Sequence, residues 1–207
     1  MNCDPIARAY RWFEYAAFGR ELERRRYRYL AEISGAQNAL VLGDGDGRFL
    51  ARLLASAPEV HVELVDLSQR MLDLARRRSC SSRLTCQHGD ARTIPLPPSQ
   101  FDLVATHFLL DCFDREDLAI VVSRIADAAR PQATWLVSEF RQPPSGLRAA
   151  WAWLWLRVLY LFFRITTGLQ VRGLTDHRPL LETCGFKLEQ TEEAWFGLLA
   201  SEVWRKR

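Results

Sequence analysis

The chain has 207 residues, 48% of them hydrophobic and 26% charged, which suits one domain with a substantial core and excludes wholesale disorder. The formal charge is only +3, and arginine supplies every basic residue except Lys187 and Lys206. Five cysteines without a CxxC pair suggest neither a disulfide framework nor a zinc site.

The predicted elements begin with a helical segment from Pro5 to about Ile33. Its Tyr10, Phe13, Phe18 and Leu22 offer a broken apolar face, which Gly19 bends or divides. Asp4, Arg8, Arg11 and Glu14 interrupt any secretory-signal core. Arg24-Arg25-Arg26, like Arg76-Arg77-Arg78 further on, reads as a solvated helix face, although such clusters also suit phosphates or anionic lipid. Ala39-Leu40-Val41-Leu42 is short, apolar and ended by glycine, as a buried parallel strand should be. A helix from Arg48 to Ala55 follows, and Pro58 prevents its extension. Val60 to Val65 is the next strand, closing on Asp66, and Ser68 is placed to cap a helix from Arg70 to Arg77.

Leu84 to Gln87 makes a weaker third strand, Phe101 to Ala105 a fourth, Asp117 to Ala129 a helix and Ala133 to Phe140 a fifth strand. Strands alternating with helices at this spacing predict a parallel sheet with helices on both faces. The last third breaks the rhythm. A long aromatic helix, Leu147 to Phe163, precedes a loop containing Gly168 and Gly173. A short helix from Asp176 to Cys184 comes next, and Phe186 to Gln190 with Leu198 to Trp204 are expected to form an antiparallel edge hairpin. The apolar stretch from Ala149 to Phe163 carries Arg157 and is too short for a comfortable membrane span. Cytoplasmic residence is therefore the expectation, with surface attachment to a membrane left open. Oligomerisation is open too.

Chemistry concentrates in Gly43-Asp44-Gly45-Asp46-Gly47, between the first strand and its helix. Alternating glycines permit a tight turn and a close ligand approach at the carboxyl ends of the strands, although a purely structural turn has the same pattern. Asp44 and Asp46 would repel a dinucleotide pyrophosphate and suit a ligand bearing an ammonium or sulfonium. The spacing is wrong for a Walker A phosphate cradle, and no lysine follows. Asp66 either caps the strand end or accepts both hydroxyls of an adenosine ribose. Asp90 and Ala91 stand where they could hold an adenine edge.

Together these segments resemble the class I S-adenosylmethionine-dependent methyltransferases. Val41 to Phe49 is similar to their first motif, Val65-Asp66-Leu67-Ser68 with Met71-Leu72 to their second, and Gly89-Asp90-Ala91 and Phe101 to Val104 to the third and fourth. The flavour is nearest the ubiquinone/menaquinone-biosynthesis C-methyltransferase-like group. The resemblance implies a doubly wound, Rossmann-like α/β domain over 1–207. In it, 1–35 would be an N-terminal helical cap and 146–184 an acceptor-side helical insertion with the final helix.

It also implies S-adenosyl-L-methionine as cofactor. Gly43, Gly45 and Gly47 would line its methionine and ribose portions, Asp66 and Leu67 the ribose, and Asp90 and Ala91 the adenine. Thr106 and His107 would border the sulfonium, and Tyr10 would cover the cofactor. The family's acidic residue two positions before the first glycine is here Val41, so Asp44 or Asp46 is expected to supply that charge.

The implied reaction is methyl transfer to a small, hydrophobic acceptor. The alternatives are phospholipid or amine N-methylation at a membrane surface, or a nucleotide-binding or assembly protein that has lost the chemistry. His107 is the expected base, or else a loop residue bonding backbone, with Asp111 orienting it or an amine substrate. For His177, helix capping or surface exposure is the expectation. Trp151, Trp153, Trp155, Tyr160, Phe162 and Phe163 either roof an acceptor cavity or pack as core or dimer face. Thr106-His107-Phe108-Leu109 after the fourth strand lacks the Pro-Pro-aromatic segment that holds planar amides and exocyclic amines, which disfavours the common DNA methyltransferases.

Overall fold

The computed structural model describes residues 3–207 except 8, 34, 144 and 172. Two helices open the chain, α1 (Tyr10–Phe18) and α2 (Glu21–Tyr27), separated at Gly19, which adopts φ 58°. A 3-10 turn, Leu30–Ile33, leads to β1 (Asn38–Leu42), α3 (Arg48–Ser56), β2 (His61–Asp66), α4 (Gln69–Ser79), β3 (Leu84–His88) and β4 (Phe101–His107). After a 3-10 turn at Leu110–Cys112 come α5 (Arg115–Ala128), β5 (Ala129–Phe140), α6 (Gly146–Thr167), α7 (Arg178–Thr183), β6 (Phe186–Ala194) and β7 (Leu199–Lys206).

The sheet has the order β3-β2-β1-β4-β5-β7-β6, with β1 to β5 parallel and β7 antiparallel to both its neighbours. The order reverses between β1 and β4, so the crevice of a doubly wound sheet opens at the ends of Leu42, Asp66 and His107. One apolar core lies between the sheet and α5, a second under α3 and α4, and a third joins Phe18 and Leu22 to Phe140, Ala152, Leu156 and Tyr160.

Local chemistry accounts for the boundaries. Ser68 caps α4, accepting from the Met71 N–H at 3.2 Å, and α3 stops at Ser56, before Pro58. At the start of α3 the capping position is Gly47, which has no side chain, so Asp44 reaches forward and accepts from the Leu50 N–H at 2.9 Å. Gly47 itself adopts φ 79°, and a Cβ there would stand 2.5 Å from Ala75 Cα. That glycine lets α3 pack directly on α4.

The expected antiparallel hairpin closes one edge of the sheet, with β6 outermost and β7, nearly all buried, between β6 and β5. Two expectations are corrected. Arg25 and Arg26 are buried rather than solvated, since distant carboxylates meet them: Glu192 for Arg25 and Glu14 for Arg26. His177 precedes α7 but caps nothing with its side chain. It is buried and bonds Glu202 at 2.9 Å.

Candidate active site

Two cavities flank the carboxyl ends of the strands. The first, about 720 Å³, is bounded by Leu42 and Gly43 of the glycine loop, Asp66 and Leu67 after β2, Gly89 to Arg92 after β3, and the segment after α6. Five predicted cofactor residues therefore converge on it: Gly43, Asp66, Leu67, Asp90 and Ala91. The second, about 340 Å³, lies between α1 and α6 and is walled by Tyr10, Phe13, Phe18, Phe140, Trp155, Phe162 and Phe163. Cys112 and Leu169 line both cavities, so the two adjoin there.

The charges are unequal in availability. Burial pushes the Asp66 carboxyl up to about 6, although it accepts from the Ser68 N–H at 2.8 Å. A hydroxyl-bearing ligand would provide the donors that ionised Asp66 lacks. Asp90 is held below the ordinary range by the Arg92 side chain, whose terminal nitrogen lies 2.6 Å from Oδ2 and which also reaches Asp117 at 2.7 Å. Asp46 is engaged by Arg48 at 2.7 Å and Arg78 at 3.0 Å. Asp44 is buried and pushed up to about 7 by that burial, and its Oδ1 has no hydrogen-bond partner among the described residues. Of the two loop aspartates, Asp44 is the one with an acceptor to spare.

Tyr10 lies over the loop, its Cε1 3.3 Å from where a Cβ on Gly45 would be. Behind it, Glu14 bridges Arg26 and Arg48, all three buried, fastening α1 and α2 to the glycine loop. Sequence reasoning missed this cluster, since Glu14 and Arg26 lie twelve residues apart and Arg24-Arg25-Arg26 reads as a solvated helix face.

Thr106 and His107 are not brought to either cavity. Thr106 is fully buried and accepts from the Trp135 indole at 3.0 Å. His107 packs edge-on against Phe49 with ring centroids 4.4 Å apart. Its Nδ1 lies 3.0 Å from Ser138 Oγ, which itself donates to the Arg25 carbonyl. Ser138 has one proton to give, so the Nδ1 of His107 carries the hydrogen. Burial, then the Arg26 charge, pushes His107 down to about 3. A neutral, enclosed imidazole is poorly placed as base, and the candidate moves to Asp111, which lines the apolar cavity.

The aromatic helix divides by face. Trp155, Tyr160, Phe162 and Phe163 line the cavity, Trp151 packs on Trp155 and Trp195, and Trp153 is 48% exposed. Among the described residues no helix is long and apolar enough to cross a membrane.

Comparison with known proteins agrees with this geometry. Residues 39–132 match the methyltransferase domain family. Over 185 residues the chain is 30% identical to the ubiquinone/menaquinone biosynthesis C-methyltransferase of Dinoroseobacter shibae, covering 80% of this chain and 72% of that protein. The N-methyltransferase NodS of Bradyrhizobium japonicum, solved with S-adenosyl-L-homocysteine, aligns with a TM-score of 0.70 at 16% identity, over 91% of this chain and 87% of the other. The 1,6-didemethyltoxoflavin-N1-methyltransferase of Burkholderia thailandensis aligns with a TM-score of 0.69 at 18% identity, over 99% and 84%. At these identities the two structures share the fold alone.

Proposed function

This chain belongs to the class I S-adenosylmethionine-dependent methyltransferases, and from that premise we propose that it transfers a methyl group to a small, apolar acceptor. The observation that carries the reading is the contact, at Cys112 and Leu169, between a cavity built on the glycine loop and Asp66 and one walled by aromatic side chains. When bound, S-adenosylmethionine supplies an electrophilic methyl on a sulfonium, and such transfer needs alignment and dryness more than covalent help. Gly43 would underlie the methionine and ribose portions, Asp66 and Leu67 would hold the ribose, and Asp90 and Ala91 the adenine. Tyr10, Phe13, Phe162 and Phe163 would orient the acceptor and exclude water.

The likeness to a quinone-biosynthesis C-methyltransferase supports a quinol ring as the first acceptor class to try. The test is incubation of the protein with labelled cofactor and a quinol panel, alongside mass-resolved cell extract. Labelled product is expected. Tighter binding of NAD than of S-adenosylhomocysteine, or cofactor binding without turnover of any extract component, counts against the reading.

One observation favours a second reading, N-methylation of a lipid or amine at a membrane surface. Leu147, Leu154, Val158, Leu161 and Ile165 are exposed on α6, a helix with three arginines and no acidic residue. Cosedimentation with anionic but not neutral vesicles, abolished by Leu161→Glu, supports this reading. Equal recovery in the supernatant with both vesicle types removes it.

A further inference from the structure

The apolar cavity has a polar floor. Asp111, in the Leu110–Cys112 turn, lines the cavity and is only 9% exposed. Behind it stands Glu139 of β5, 2% exposed. Glu139 Oε1 accepts from the Leu109 and Leu110 N–H groups at 3.0 and 2.7 Å, whereas Oε2 has no donor among the described residues. Leu110 immediately precedes Asp111, so the turn that Glu139 binds carries the second carboxyl, and the two groups act on each other's charge. On its remaining sides Asp111 meets the Tyr160 hydroxyl at 3.4 Å and the Cys112 thiol at 3.7 Å.

Two neighbouring carboxylates this deep do not readily ionise together, because their repulsion is weakly screened. Burial raises both groups, and Glu139 lies well above the ordinary range with Asp111's charge adding to the effect. A proton kept on this pair offers the unpartnered Oε2 a donor. The other polar groups at the cavity are poor proton acceptors: Glu14 is bound by Arg26 and Arg48, and the Tyr10, Tyr160 and Cys112 protons are held tightly by burial. Trp155, which lines the same cavity, has an indole N–H buried without an acceptor among the described residues. An orphan donor and a carboxylate in an apolar chamber describe a ligand with a greasy body and a protic head.

We propose that Asp111 and Glu139 hold a single proton between them, and that Asp111 receives the proton of a hydroxyl or amine on the acceptor as that atom is methylated. The proposal rests on the methyl-transfer reading above. A lone pair of the acceptor forms the bond to the methyl carbon, the carbon–sulfur bond breaks with its electrons going to sulfur, and the acceptor proton passes to Asp111. The doubly protonated pair then returns one proton to solvent. Asp111 is the group that faces the acceptor; Glu139 is a positioning residue.

The experiment compares para-octylphenol with octylbenzene, which share an apolar body and differ by the hydroxyl, in calorimetric titrations of the protein–S-adenosylhomocysteine complex. The native protein should prefer the phenol roughly tenfold, as suits a hydrogen bond to a charged acceptor. Asp111→Ala should lose the preference with its S-adenosylhomocysteine affinity unchanged. Equal binding of the two probes by the native protein, or binding of neither, overturns the proposal. Independently, the protonated-carboxyl infrared band at neutral pH, to which Asp44 also contributes, should lose intensity in Glu139→Gln, and an unchanged band overturns the shared proton. A native protein that does not bind S-adenosylhomocysteine would instead remove the methyltransferase reading, so the two failures are distinct.

Discussion

Asp66 concentrates the conflict between folding and binding in one side chain. Replacing it with alanine should weaken S-adenosylhomocysteine binding by about 1–3 kcal/mol in calorimetry, the range for losing a buried polar partner. Its raised pKa also fixes a sign for the free protein. The folded state holds the proton to about 6 where the ordinary value is 3.8, so the group's stabilising contribution is complete below that ordinary value and is lost as pH rises through 6. Urea unfolding of Asp66→Asn should therefore gain on the native protein between pH 4 and 7, by something on the order of 2 kcal/mol. No gain over that interval would mean that Asp66 is better solvated than its surroundings indicate. A glycine tests the loop in a different way. Gly47→Ala places a methyl against the Ala75 backbone at φ 79°, and Gly168→Ala meets open space at φ 70° in the same left-handed region. Thermal unfolding should find the first variant at least about 2 kcal/mol worse than the second, whose penalty is backbone strain alone.

At the scale of elements, α6 separates pocket from packing. Phe162→Ala should change acceptor selectivity and leave S-adenosylhomocysteine affinity within twofold, because Phe162 lines the apolar cavity and not the cofactor side. A parallel loss of both would make α6 a support for the whole crevice. Much of this was legible in the sequence, for physical reasons that differ by element. β1 and β4 are buried on both faces, so their apolar runs announce them, β2 alternates buried Val62 and Leu64 with exposed His61 and half-buried Glu63, and Ser68 and Pro58 mark helix ends through local chemistry alone. Arg26 and His107 were misread because their environment comes from chain far away: Glu14 and Arg48 for one, Ser138 and Phe49 for the other. Glu139 was passed over for a similar reason. Nothing next to a strand-end glutamate signals that it will bind the turn carrying an aspartate 28 positions earlier, Asp111.

Across the whole molecule, a buried charge cluster ties the last strand to α7. Glu202 of β7 is 1% exposed and receives His177 at 2.9 Å, Arg178 at 2.6 Å and the Trp204 indole at 2.8 Å. Burial alone would raise its carboxyl, but the bond from His177 and the adjoining positive charges outweigh burial and hold it at about 2. A depressed value reverses the sign found for Asp66. The stabilisation is full above the ordinary 4.5 and fades as pH falls toward 2, amounting to roughly 3 kcal/mol. Thermal melts of Glu202→Gln should show the deficit at pH 7 and little at pH 2. A constant deficit would assign the effect to packing.

The latch formed by Glu14 has a kinetic consequence. Lifting α1 away would take Glu14 from Arg48, which keeps Asp46, and would strand Arg26 without a carboxylate, at a cost of roughly 3–5 kcal/mol for an uncompensated buried charge. The cap is therefore a fixed wall, and traffic must pass around it. Cofactor would come and go beside the glycine-containing segment after α6, and acceptor between α1 and the exposed face of that helix. Separate doors imply no compulsory sequence of arrivals. In initial-rate measurements S-adenosylhomocysteine should compete with S-adenosylmethionine and act as a mixed inhibitor against the acceptor, while methylated product should leave the cofactor's KM unaltered. A strictly ordered pattern would show that one ligand blocks the other's path, and that α1 opens after all.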